Sequence, residues 1–344
     1  MESKSKDNIK IRNNYIVRRV GVTWITPVVI TVVITGSLLF VPELISAWTV
    51  VLLSSIFMYM VLTVNWTVFC DPTQYFSLGI AAFFGVGVYM ASIVWEVRPE
   101  FPLIIVIILA GIASSCLALL VGLTTLRIKG IYFAIFTFGL SELLRHFFMW
   151  WEVNKTGTVG RWIPIVDNNI VYRYMVVLAA ISILGAYVLR RSRYGLALTS
   201  IGDGKDVARH MGVNTNAVQI IVFAGTCFLT GAAGALIATR WSYIDADVAF
   251  DPIRTVMTIM MSLFGGMSVL YGPILGTVIL GIVSDVLLVQ FPYLSRLFLG
   301  LILVFTVLFI PKGIAGLIAG KSPAGIRGPL SNLRNMFSGK TRKE

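Results

Sequence analysis

Ten apolar stretches of about 16 to 22 residues dominate this chain of 344 residues, near 24–41, 44–64, 75–95, 102–123, 131–151, 174–189, 218–239, 253–270, 272–290 and 294–310. A helix needs about 20 apolar residues to cross the hydrocarbon core of a bilayer. The pattern therefore specifies an all-α fold, a polytopic helical bundle in a membrane. No run of alternating ten-residue segments suggests an outer-membrane barrel. Charged residues make up only 13% of the chain, against about 25% in soluble domains, which excludes a water-soluble core. Gly265, Gly266, Gly272 and Pro273 divide one long run into the eighth and ninth stretches, so eight or nine spans are alternatives to ten.

The net charge is +12, and its distribution carries information about orientation. The segments 1–23, 124–130, 190–217 and 311–344 hold 20 Lys and Arg, against 7 in the loops of the opposite side. Acids lean the other way, with Asp245, Asp247 and Asp251 in one opposite loop. The positive-inside rule places the basic side in the cytoplasm. The expected organisation is a cytoplasmic tail over 1–23, a transmembrane domain over 24–310 with a cytoplasmic loop near 190–217, and a basic cytoplasmic tail over 311–344. Both termini are inside. Orientation accounts for the basicity without nucleic acid as a partner; the lipid bilayer is the partner it implies. The first stretch follows basic residues but no small-residue cleavage site, and so reads as a span. Cys70, Cys116 and Cys227 are far apart, as are His146 and His210, and no metal spacing follows.

Three stretches are rich in small residues: Ser77–Ser92, Ala224–Ala238 and Leu263–Gly276. Such residues let helix backbones approach closely in lipid, and glycine breaks at membrane depth also recur where backbone lines a substrate path. The first and third, interrupted by Pro72 and Pro273, fit a path better than the second. Candidate lining residues are Ser77, Gly79, Phe83 and Gly85 from the first, and Gly265, Gly266 and Ser268 from the third. Few charges fall within the spans. Glu142 and Arg145 lie three apart on one helix face and can pair, either as part of a polar pathway or as a self-neutralised pair near the end of their span. Asp285 stands alone near the end of the ninth stretch, where an interfacial position is one reading, and Asp71 precedes Pro72 in an expected non-helical break. These scattered groups do not form a proton relay.

The chain carries no engine of its own. A phosphate-cradling loop needs G-x-x-x-x-G-K-[ST]. Before Gly320-Lys321-Ser322 the first glycine position is Ala315, and before Gly339-Lys340-Thr341 it is Arg334. No catalytic constellation is present, so the chain reads as a non-catalytic membrane subunit.

Four blocks then resemble one family. Thr73 opens TQYFSLGIAAFFGVGVY, Leu126 opens LRIKGIYFAIFTFGLSELLR, Arg193 opens RYGLALTSIGDGKDVARHMGV, and Leu263 opens LFGGMSVLYGPILG. In that order they are similar to the LivM-type permease subunits of ABC importers for branched-chain amino acids. The resemblance implies a heteromer of a second homologous permease, two cytoplasmic ATP-binding subunits and an extracytoplasmic solute-binding protein in the cytoplasmic (inner) membrane. It implies no cofactor on this chain, with ATP and Mg held by the partners. It also implies that the third block couples to the ATPases through Asp203, Lys205, Asp206, Ala208, Arg209 and Gly212. Lys205 stands where the family has an acidic residue, and Ile80 replaces its histidine.

The residues of the loop independently suggest a short helix around Asp206–Met211 between Gly204 and Gly212, with Asp203 as N-cap. A disordered basic linker on anionic lipid is the plain alternative. The expected function is inward movement of a small solute, most simply a branched-chain amino acid, by alternating access driven by the ATPases. An ABC permease for urea, a short amide or another amino acid, and an ion-coupled carrier acting alone, are the other readings.

Overall fold

The computed structural model describes residues 25–43, 45–126, 130–309 and 313–319. The expected tail over 1–23, the basic pair Arg127 and Lys129, and residues 320–344 lie outside the described residues. The helices are α1 (Ile25–Leu38), α2 (Ala47–Thr73), α3 (Ile80–Val97), α4 (Leu103–Thr125), α5 (Gly130–Thr156), α6 (Asn168–Arg191), α7 (Arg193–Asp203) and α8 (Lys205–His210). They continue as α9 (Thr215–Ala238), α10 (Ala246–Ala249), α11 (Pro252–Gly265), α12 (Gly272–Gln290), α13 (Ser295–Phe309) and α14 (Gly313–Ala319). Two short strands, β1 (Arg161–Trp162) and β2 (Tyr243–Ile244), pair antiparallel with Arg161 opposite Ile244.

Among the described residues, eight helices are long and apolar enough to cross a membrane: α2 to α6, α9, α12, and α10 with α11 as one unit. The first and tenth expected spans correspond to shorter apolar helices, Val28–Glu43 and Leu297–Thr306. Gly265 and Gly266 do end α11, and Gly266 adopts φ +99°, a backbone conformation that suits glycine.

The loops sort to two ends of the bundle. At one end Lys205 Nζ donates to Leu126 O at 2.6 Å, and Arg190 Nη2 donates to Met267 O at 3.0 Å. At the other lie the β1–β2 pair, the Glu43–Arg173 ion pair at 2.7 Å, and Arg240 Nη1 donating to Ser55 Oγ at 3.2 Å.

Helix α2 differs from the sequence expectation. The apolar run stops near residue 64, yet the helix continues to Thr73, so Cys70-Asp71-Pro72 is helical. Pro72 sits in the last turn, where little helix remains for it to disturb. The turn ends on Gln74 at φ 57°, whose N–H donates to Cys70 O.

Helices α2 and α9 form the centre. Helix α9 packs mainly on α4 and α3, and α2 on α6, α9 and α12. Hydroxyl groups stitch this core together: Thr63 with Thr277 at 2.8 Å, Thr67 with Ser262 at 2.5 Å, and Ser114 Oγ donating to Phe83 O at 2.8 Å. Such interhelical bonds contribute about 0.6 kcal/mol each in a membrane. Glycines allow the closest contacts. A Cβ on Gly87 would fall on the Gly231 carbonyl, and one on Gly234 on the Phe84 carbonyl.

Candidate functional site

The path-like feature is the break between α2 and α3. After Gln74 the chain runs without regular secondary structure to Gly79, and Trp66 Nε1 donates to Ser77 O at 2.8 Å. Trp66 lies seven residues before the end of α2, so this irregular segment returns about 10 Å into the bundle before α3 begins. Helix α3 thus starts inside the protein, where its free N–H groups need internal acceptors. Thr255 Oγ1 accepts from Ala81 N at 3.1 Å, and Thr137 Oγ1 accepts from Leu78 N at 3.0 Å.

Beside this break is a cavity of about 30 Å³ lined by Asn65, Trp66, Phe69, Cys70, Ser77, Ile80, Phe83, Phe223, Thr226, Cys227 and others. Room for about two waters cannot hold an amino acid. Phe223 meets Phe69 at 4.9 Å and Phe83 at 5.3 Å between ring centres. A second cavity of about 240 Å³ lies between α2, α6 and α9, and Asn65 and Thr226 line both. Asn65 Nδ2 donates to Ser182 Oγ at 3.1 Å and to Val61 O at 2.8 Å. Gly185 and Gly225 line this wider space, and a Cβ on either would meet nothing within 4 Å. Unlike Gly87, they leave space rather than close it.

The candidate lining residues are thus dispersed. Ser77 and Phe83 reach the central cavity. Gly79 abuts Thr137, and Gly85 abuts the Phe250 ring. Gly265 packs on Gly272 in the α11–α12 turn, Gly266 ends α11, and the Ser268 carbonyl accepts weakly from Arg190 Nη1 at 3.5 Å. Asn65, Ser182 and Thr226 belong to no motif of the sequence, and Cys227 reads there only as an isolated cysteine. A lone amide just past the end of an apolar run was the available signal for Asn65. Glu142 and Arg145 do pair at 2.7 Å, and Asp247 joins them at 3.3 Å. All three are partly open, as suits a self-neutralised cluster. A more enclosed ionic group at the same end joins Arg161 to Glu96 and, at 3.6 Å, to fully buried Glu152.

The second functional element is the α7–α8 hairpin. Ser192 Oγ caps α7 by accepting from Tyr194 N and Gly195 N. Asp203 is the last residue of α7 and not an N-cap: Gly204 opens α8 and offers no capping side chain. Continuing α7 through Asp203 satisfies its backbone inside a helix, so the chain bends only at Gly204. Gly212, at φ +83°, closes the far end. The Lys205 ammonium donates to Leu126 O and lies 5.4 Å from the Tyr75 ring centre. Burial, reinforced by the Arg209 charge and opposed by Asp206, holds it below the ordinary lysine range. Ala208 is fully buried; Asp206 and Arg209 face outward and lie 3.7 Å apart. Val207 and Met211 are each more than 60% exposed.

Residues 48–307 match the family described as "Branched-chain amino acid transport system / permease component". The chain belongs to this family. Its members are non-catalytic membrane permeases of ABC-type transport systems, and this permease is a multi-pass protein of the inner membrane. It is similar to the high-affinity branched-chain amino acid transport system permease protein LivM of Escherichia coli (strain K12), 21% identical with 79% of this chain and 71% of that protein covered. The LivM of Salmonella typhimurium (strain LT2) is 22% identical over the same shares. The autoinducer 2 import system permease protein LsrC of Yersinia pestis (strain Pestoides F) is 28% identical over 52% of this chain and 55% of that protein. No solved structure matches the chain.

Proposed function

We propose that this permease carries branched-chain amino acids inward by alternating access, driven by two cytoplasmic ATPase subunits that grip the α7–α8 hairpin. A second homologous permease and an extracytoplasmic solute-binding protein complete the complex, and ATP and Mg reside in the ATPases. The observation that carries the reading is the hairpin itself. It offers exposed Val207 and Met211 outward, while Lys205 ties its base to the end of α4 and Arg190, just before it, reaches the α11–α12 turn. A push on the exposed face would move several core helices together. The LivM alignments span far more of the chain than the LsrC alignment, which supports an amino acid as substrate.

The small central cavity fits a state in which the path through the centre is too narrow for the solute. Parting Asn65 from Ser182 would join it to the wider space beside Gly185 and Gly225. The test is reconstitution of the complex with its binding protein and labelled leucine, comparing wild type with a variant in which a flexible Gly-Ser linker replaces 204–212. The expected result is loss of leucine uptake, with no ATP hydrolysis that responds to the loaded binding protein. Unimpaired uptake by the variant rejects the hairpin as the coupling element.

A further inference from the structure

A pocket of about 210 Å³ opens between α2, α11 and α12, in the half of the bundle opposite the hairpin. Its walls carry Ser55 and Tyr59 from α2, Met261 from α11, and Gly281, Ser284 and Asp285 from α12. Asp285 Oδ2 is shut off from solvent and accepts no hydrogen bond among the described residues. A carboxylate oxygen left this way in a membrane is costly, and such groups mark ligand paths or await a partner. One wall also receives a positive charge, because Arg240 Nη1 donates to Ser55 Oγ at 3.2 Å. A carboxylate in the wall of the cavity, with a guanidinium bound to Ser55 of the opposite wall, is complementary to a solute that carries both charges.

We propose that this pocket is a binding station for the zwitterionic end of the solute, with Asp285 receiving its ammonium group and Arg240 on the carboxylate side. The inference rests on the amino-acid reading above and adds the residue that recognises the charged end. By the charge count the pocket lies on the extracytoplasmic side, where a solute would be received before the narrow centre.

The test uses the reconstituted complex with S284C as a reporter in a C116S background, since Cys116 is the exposed native cysteine. Maleimide labelling is followed with increasing L-leucine or 4-methylpentanoate, which has the same body without the ammonium. Leucine should slow labelling and 4-methylpentanoate should not. D285N should raise the half-protecting leucine concentration about tenfold or more, the scale of a lost charge-assisted hydrogen bond, and D285E should restore much of it. Equal protection by both ligands, or protection unchanged by D285N, overturns the proposal. Dissociation of D285N from the second permease also overturns it, and assigns the carboxylate to a subunit contact. Leucine uptake by wild type is measured alongside: its absence rejects the amino-acid reading, whereas normal uptake with unaltered D285N protection rejects this site alone.

Discussion

The carboxylate of Asp71, in the last turn of α2, lies 3.5 Å from the guanidinium of Arg190 at the end of α6. Arg190 also donates to the Met267 carbonyl in the α11–α12 turn. Two residues thus join the ends of three core elements at the base of the hairpin. The contact is partly open on both sides, so its contribution to stability is about 1 kcal/mol or less. D71N and R190Q should each lower the melting temperature of the purified complex slightly and reduce uptake more than melting. Their effects should be non-additive in a double-mutant cycle; simple additivity would mean the two side chains do not act through each other.

Val207 on α8 and Met211 just past its end are large, apolar and exposed, whereas Ala208 between them is buried. Surface changes there should alter the permease's own stability by no more than about 0.5 kcal/mol. V207D and M211D are expected to fold normally and lose the ATPase subunits on co-purification. Retention of full ATPase stoichiometry in V207D/M211D would remove these residues from the interface.

Glycines in the spans divide into two kinds. A Cβ on Gly87 would overlap the Gly231 carbonyl, which backbone movement alone can relieve, so G87A should destabilise by about 1–3 kcal/mol. Gly225 has open space, so G225A should leave melting unchanged. G225L should fill the space beside Asn65 and abolish uptake at normal stability. Uptake by a well-folded G225L protein would take the α6–α9 space out of the pathway.

Lys205 gives the hairpin a pH response. Its folded pKa is lowered by burial and by Arg209, so between the folded and unfolded values the unfolded chain binds more protons. Stability contributed here therefore rises with pH across that alkaline interval and is constant outside it. Melting temperature against pH should show this slope in wild type and lose it in K205M. An identical slope in K205M would trace the response to another group.

Much of the protein is legible without coordinates. Stretch length and low charge establish a membrane bundle, because hydrocarbon admits few uncompensated charges. Four ordered blocks indicate the permease family, and the glycine pair at 265–266 marks a real helix end. Tertiary structure alone decided the rest. Helices α2 and α9 are apolar on nearly every face, so periodicity does not tell lipid-facing from protein-facing positions; in a bilayer both faces meet hydrocarbon-like surroundings. That is why Ala224–Ala238, the least path-like small-residue stretch by sequence, emerged beside the cavity. The continuation of α2 past residue 64 depends on packing that accepts Asn65 and Trp66, and the return of Ser77 depends on a bond to Trp66. Local sequence placed a cap at Asp203, but the run of α7 made it a helix end. The same limit holds for Asp285: its isolation is visible in the chain, and only packing makes its Oδ2 a buried acceptor without a donor among the described residues.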